Sequence, residues 1–372
     1  MDAEQKNLPN TELSKRIFLN SGSHPIMALG SALTVVVFVL FTVISPDYAG
    51  SVFNRARDFI SSQLDWYYIA IMNFYLIFAV LLVFSKYGKI RLGADSDKPE
   101  FSYFAWFSML FGAGIGIGIL FWSIAEPITH FQNNPFIDAS QSMSAEAAQI
   151  AMRISIFHWG LHGWALYAVL GMTFAYFSYR KGLPLSIRSA LYPVFGERIH
   201  GPIGFIADLL AVLGTVFGIA TSLGLGAQQM NAGISYLLGI EISIATQILL
   251  ISVISVVATL SVLSGINRGI RILSELNMKL TLLILALFFV FGPTLYLLSS
   301  IATNSLDYLV NSPALGVWID PDRDSQWQSW WTIFYWGCGL PGHPLPLCLL
   351  PVSRADVPLA SLYSGYCWHP LC

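Results

Sequence analysis

The chain has 372 residues, of which 55% are hydrophobic, 14% aromatic and only 11% charged, with a mean hydropathy of +0.63 and a net charge of −2. A soluble chain carries about 25% charged residues, so this composition excludes an ordinary cytosolic enzyme and a disordered protein, and the small net charge excludes a nucleic-acid binder. The lipid bilayer is the remaining solvent.

A membrane-crossing helix needs about 20 mostly apolar residues. After a polar tail over 1–25, expected to be cytoplasmic, windows of that kind lie at 26–45, 66–85, 101–125, 154–178, 204–228, 243–263 and 280–301, and an eighth opens near Trp330. These predict seven helices over 26–301, a periplasmic loop over 302–329 and the start of an eighth helix over 330–337. The first window is too long for a signal-peptide core and is expected to remain as a span. Basic residues set orientation. With the N-terminus inside, Lys6, Lys15, Arg16, Lys86, Lys89, Arg91, Lys98, Arg180, Lys181, Arg188, Arg198, Arg268, Arg271 and Lys279 fall on the cytoplasmic side, whereas only Arg55, Arg57 and Arg323 fall outside.

The third window contains Gly112, Ala113, Gly114, Ile115, Gly116, Ile117 and Gly118, followed by Phe121, Trp122, Glu126 and Pro127. Each glycine costs a helix about 1 kcal/mol relative to alanine, so a break is expected there. Two readings stand: close helix packing through the small-residue pairs 112/116 and 114/118, or an unwound segment whose free carbonyls face a substrate or cation. No Lys-Ser/Thr follows the glycines, which argues against a phosphate loop.

The fourth window reads Phe157, His158, Trp159, Gly160, Leu161, His162, Gly163, Trp164, Ala165, Leu166, Tyr167. On an unbroken helix at about 100° per residue, Trp159, Trp164 and Tyr167 border one face whose middle is glycine. Aromatic walls suit a quaternary ammonium, which is attracted to the ring quadrupole and has no proton to donate; the alternative is an interfacial aromatic belt. His158 and His162 have the i, i+4 spacing of metal ligands, but with no third ligand evident they read as packing histidines. Thr215, Thr221 and Ser222 in the fifth window bond to their own helix or coordinate sodium. Trp327, Trp330, Trp331 and Trp336 open the eighth segment, either as a second aromatic wall or as another belt.

Taken together, Gly114 to Gly118 with Phe121, Trp122, Glu126 and Pro127, the run Phe157 to Tyr167, the run Thr221 to Gly226, and Trp331 to Trp336 resemble the betaine/choline/carnitine transporter family over about residues 14 to 337. The resemblance implies an all-α, inverted-repeat secondary transporter in the bacterial inner membrane, not an enzyme. This chain would supply two leading helices, the first five-helix repeat and the opening of the second. It also implies ion-coupled uptake of a trimethylammonium compound such as choline, glycine betaine or carnitine, and a homotrimer at full length. No cofactor is implied beyond a coupling ion, Na+ or H+. By the resemblance, Trp159, Trp164, Tyr167, Gly114, Gly116, Gly118, Trp331 and Trp336 contact substrate, and Gly112, Ala113, Ile115, Thr215, Thr221 and Ser222 serve the ion. Ile115 stands where some members have methionine, and Ile219 where sodium-coupled members carry threonine.

The pattern stops after Gly337. All four cysteines, Cys338, Cys348, Cys367 and Cys372, fall in the final segment, with prolines at 341, 344, 346 and 351 where a span should continue. Codon degeneracy lets DNA for Cys348 to Pro358 spell a basic family-like loop in the next frame. This predicts a frameshift near 338 and an out-of-frame tail over 338–372. The chain as written then reads alternatively as a non-transporting truncated remnant of such a carrier.

Overall fold

The computed structural model describes residues 25–93, 95–114, 116–321 and 326–339. The expected cytoplasmic tail up to residue 24, Ile115, Arg323 and the tail from Leu340 onward lie outside the described residues. Among the described residues the regular structure is helical, without a strand. The chain divides into two units: one takes the described parts of Met1–Glu100, Gly163–Phe217 and Pro321–Tyr366, the other those of Phe101–His162 and Gly218–Asp320.

In the first unit, α1 (Pro25–Ile44) is followed directly by α2 (Pro46–Gln63). The chain turns by 116° between them, where Pro46 occupies the first helical turn with Asp47 beside it. Proline has no N–H to lose at that position, and an acid there complements the helix dipole. The segment holding Arg55 and Arg57 is thus a helix and not an open loop. Its mixed polar and apolar sequence kept it out of the hydropathy windows. α3 (Asp65–Phe84) is long and apolar enough to cross a bilayer. The last described helix of this unit, α12 (Ser329–Gly339, wound as a π-helix), packs against α2 and α3, with the Arg57 guanidinium 4.1 Å above the Trp330 ring.

In the second unit, α4 (Tyr103–Gly114) and α5 (Ile117–Gln132) are separated at the glycine run and bent by 57°. α6 (Ala145–Trp159) begins where the Ser144 side chain accepts from the Ala147 N–H, with Glu146 in its first turn. α7 (Leu161–Ala175) follows, belonging to the first unit from Gly163 onward, and runs on as a π-turn over Tyr176–Arg180. α8 (Pro202–Leu238), which belongs to the first unit up to Phe217 and to the second from Gly218, extends ten residues beyond the expected window to 228. α9 (Ile244–Leu263) matches its window closely.

The seventh window does not correspond to one helix. A helical stretch over Ile266–Phe291, of which α10 is Arg271–Phe291, ends at Gly292, and α11 (Thr294–Gly316) starts after Pro293. Proline lacks the amide that would continue the ladder, and a Cβ on Gly292 would collide with the Phe288 carbonyl. Arg271 and Lys279 flank Glu275 at 3.7 and 3.9 Å with i, i+4 spacing. These charges lowered the local hydropathy and hid the start of the helix. The expected loop over 302–329 is therefore helical as far as Gly316.

Four helical stretches are long and apolar enough to cross a membrane, and the bent pairs α1/α2 and α4/α5 raise the number to six among the described residues. α6 and α7, at 15 residues each, fall short of the roughly 20 needed to span alone.

Candidate functional site

The site is built around two interruptions in helices. At the first, α4 stops at Gly114 and α5 resumes at Ile117, with Gly116 in extended conformation at its N-cap. The glycines differ in surroundings. A Cβ on Gly112 would lie 3.3 Å from Ser274 Oγ of α10, so this position permits close packing of α4 on α10, whereas Gly118 has nothing within 4 Å. Gly114 and Gly116 are half-buried at the break itself. Helix packing and backbone opening thus coexist in one motif, at different glycines.

The second interruption is at Gly160. α6 ends at Trp159, Gly160 leaves helical geometry at φ −93°, ψ −146°, and α7 begins at Leu161. A Cβ on Gly160 would clash with the Ile156 carbonyl and come within 2.8 Å of the Tyr308 hydroxyl. That hydroxyl accepts the Leu161 N–H at 2.9 Å. Tyr308 of α11 is almost fully buried and supplies an acceptor to a backbone amide that the break leaves without its helical partner.

This break corrects the unbroken-helix projection used for the aromatic wall. Trp159 and the pair Trp164/Tyr167 lie on different helices and in different units, so a 100° helical wheel does not relate them. Within α7, Trp164 is buried, Tyr167 is half-buried, and their ring centroids are 5.3 Å apart. In α12, Trp331 is half-buried with its ring 6.2 Å from that of Tyr335, and Trp336 is buried.

Trp159 is half-buried, and its polar edge is fixed. Its indole Nε1–H donates to Glu126 Oε2 of α5 at 2.8 Å. The other carboxylate oxygen, Oε1, lies 2.6 Å from His158 Nδ1 and 3.4 Å from His130 Nε2. Glu126 and His130 have no exposure, and His158 has 1%. An ionisable group buried this deeply needs satisfied partners, and the carboxylate has a donor or imidazole at each oxygen.

His162 packs as the sequence reading expected, whereas His158 joins a polar cluster. His162 packs its ring against Phe157, centroids 5.0 Å apart, and the residues that converge with His158 are Glu126 and His130. This trio has a composition that can bind a metal. Two ligands on one tetrahedral zinc ion sit about 3.3 Å apart given ligand bonds of about 2.0–2.1 Å. The 2.6 Å contact between Glu126 and His158 is instead a charge-assisted hydrogen-bond distance. Sequence spacing gave no sign of this cluster, although Glu126 beside Pro127 was already evident as an acid at the end of an apolar window.

In α8, Thr215 Oγ1 donates to the Ala211 carbonyl at 2.8 Å, the back-bonding usual for a helical hydroxyl. Thr221 is exposed and Ser222 half-buried. Ala113 is half-buried at the end of α4.

A second polar tie holds α6 to α11. Arg153 donates through Nε and Nη2 to the two oxygens of Asp307 at 2.6 and 2.8 Å, and Gln149 and Asn311 donate to the same carboxylate. The planar fork of arginine matches a carboxylate in this way.

Comparison with known proteins agrees with the resemblance. The profile of the BCCT, betaine/carnitine/choline family transporter, matches residues 26–340. A "High-affinity choline transport protein" of Escherichia coli (strain K12) is 41% identical over 335 residues, covering 89% of this chain and 49% of that protein. A "Probable glycine betaine transporter" of Desulfitobacterium hafniense (strain Y51) is 42% identical over 306 residues, 82% of this chain and 60% of that protein. An osmo-independent choline transporter of Acinetobacter baylyi is 37% identical over 372 residues, 99% of this chain and 68% of that protein. The chain thus spans about half the length of the first of these relatives and three-fifths of the second. On the profile match, these identities and the apolar helices, this chain is a multi-pass membrane protein and belongs to the betaine/carnitine/choline transporter family.

Proposed function

We propose that the protein carries a trimethylammonium compound, choline or glycine betaine by the names of its relatives, across the bacterial inner membrane in ion-coupled secondary transport. The observation that carries this reading is the pair of helix breaks, at Gly114–Gly116 and at Gly160, in a chain of this family. Broken helices at membrane depth are tolerated where they are buried in protein or line a cavity, and they are where carriers bind substrate. In this reading Trp159, Trp164, Tyr167, Trp331 and Trp336 each offer an aromatic face to the cation. Gly114, Gly116 and Gly118 let substrate approach the backbone, and Gly112, Ala113, Ile115, Thr215, Thr221 and Ser222 stand near the path of the Na+ or H+ that drives uptake. The N-terminus is cytoplasmic, and the full-length carrier is a homotrimer.

The test is uptake of labelled choline, glycine betaine and carnitine by cells without carriers of their own that express the gene with its frame restored at codon 338. Saturable uptake of at least one is expected; uptake of none, with the protein present in the membrane, contradicts the reading. A second reading, a non-transporting remnant, draws on the prolines at 341, 344, 346 and 351. It predicts no uptake by the chain as written, and accumulation by that chain overturns it.

A further inference from the structure

The buried carboxylate of Glu126 does more than fill a polar gap. Its Oε2 accepts from the indole of Trp159, and its Oε1 is engaged by His158, the residue immediately before Trp159 in the chain. His130, one helical turn after Glu126 on α5, flanks the same oxygen. The three polar residues are buried, whereas the Trp159 ring is half-buried. A polar, ionisable group is thus spent on fixing one edge of a ring whose remainder is partly open. Trp159 is also the last residue of α6, next to a glycine that leaves helical geometry, so the helix ladder beyond it cannot hold it in place.

We propose that Glu126 is the positioning residue of Trp159. The carboxylate, held by His158, locks the indole orientation at the break in the helix. Accepting the N–H also pushes electron density into the ring, which strengthens its attraction for a cation over its face. The proposal rests on the carrier reading above, since it assigns Trp159 to the substrate. Unlike a metal site, it uses the hydrogen-bond distances as they stand.

Trp159 holding a quaternary ammonium is worth about 0.5–2 kcal/mol, so losing its orientation should weaken binding about 2- to 30-fold. The experiment uses the purified chain in detergent with labelled choline and glycine betaine. Glu126→Ala should raise the dissociation constant by that factor. Glu126→Gln, which keeps an acceptor for the indole, should restore most of it. In a Trp159→Phe background, which has no N–H to hold, Glu126→Ala should add little further loss. Full additivity of the two substitutions, or unchanged affinity in Glu126→Ala, overturns the proposal.

A ligand-free readout keeps it separate from the carrier reading. The Raman band reporting indole N–H hydrogen bonding, assigned to Trp159 by its disappearance in Trp159→Phe, should shift in Glu126→Ala and return toward its original position in Glu126→Gln. A band that does not move overturns the positioning role. If the band moves while the frame-restored protein takes up neither compound, the positioning contact stands and the carrier reading falls.

Discussion

A glycine at the junction of α6 and α7 has a steric reason to be there. At Gly160 a methyl group would press on the Ile156 carbonyl and on the Tyr308 hydroxyl 2.8 Å away. Overpacking of this kind costs about 1–3 kcal/mol, and Tyr308 would also be displaced from the Leu161 amide. Gly160→Ala is therefore expected to lower the thermal midpoint of the detergent-solubilised protein by several degrees. Gly118→Ala, where nothing lies within 4 Å, should leave it unchanged or raise it, because alanine favours helix. At the same scale, Trp159→Leu, Trp164→Leu and Tyr167→Leu should each weaken choline binding about 2- to 30-fold while the protein still inserts, and unchanged affinity in all three contradicts the role of these aromatic faces. The residue types at these positions were legible in the sequence. Their partners were not: Glu126 meets His158 and Trp159 across 32 and 33 residues, and Tyr308 meets Leu161 across 147. Local spacing carries no information about such contacts.

Among the elements, the apolar helices were the most legible and the breaks the least. Window hydropathy averages over about 20 residues, so it ran through Gly160 and through Gly292–Pro293 as if each were helix. It also passed over α2 and the charged start of α10. The glycine run between α4 and α5 was anticipated because four glycines within seven residues outweigh apolar character. Connections between elements are held by specific polar ties. Arg180 donates to Asp95 at 2.8 Å and to the Gly93 carbonyl at 2.9 Å, joining the segment after α3 to the end of α7. The Arg180 hydrogen bond, then its charge, holds the Asp95 carboxyl below its ordinary value. A depressed carboxylate contributes stability above its unfolded pKa of about 3.9 and loses it as pH falls through the lower folded value. The contact should thus be retained at neutral pH and lost in acid. Because Asp95 is exposed, salt should weaken it as well. Limited proteolysis between residues 86 and 100 should accelerate below about pH 4, and in Asp95→Asn the rate should already be raised at neutral pH. An Asp95→Asn variant cleaved at the original rate at every pH contradicts the tie.

For the whole molecule, the composition pointed to a bilayer and the clustering of basic residues to an orientation. With the N-terminus inside, reporters fused after residue 90 and after residue 320 should sit in the cytoplasm and the periplasm respectively; the reverse pattern contradicts the charge asymmetry. The division into two units, with Trp159 in one and Trp164 and Tyr167 in the other, was not legible, since both lie in one apolar window. The proposal that aromatic faces bind a quaternary cation for its charge is tested most directly by equilibrium binding to the purified chain. Choline is compared with its neutral isostere, in which carbon replaces the ammonium nitrogen. Several rings at about 0.5–2 kcal/mol each predict that choline binds at least about tenfold more tightly. Equal binding of the two compounds would contradict the claim.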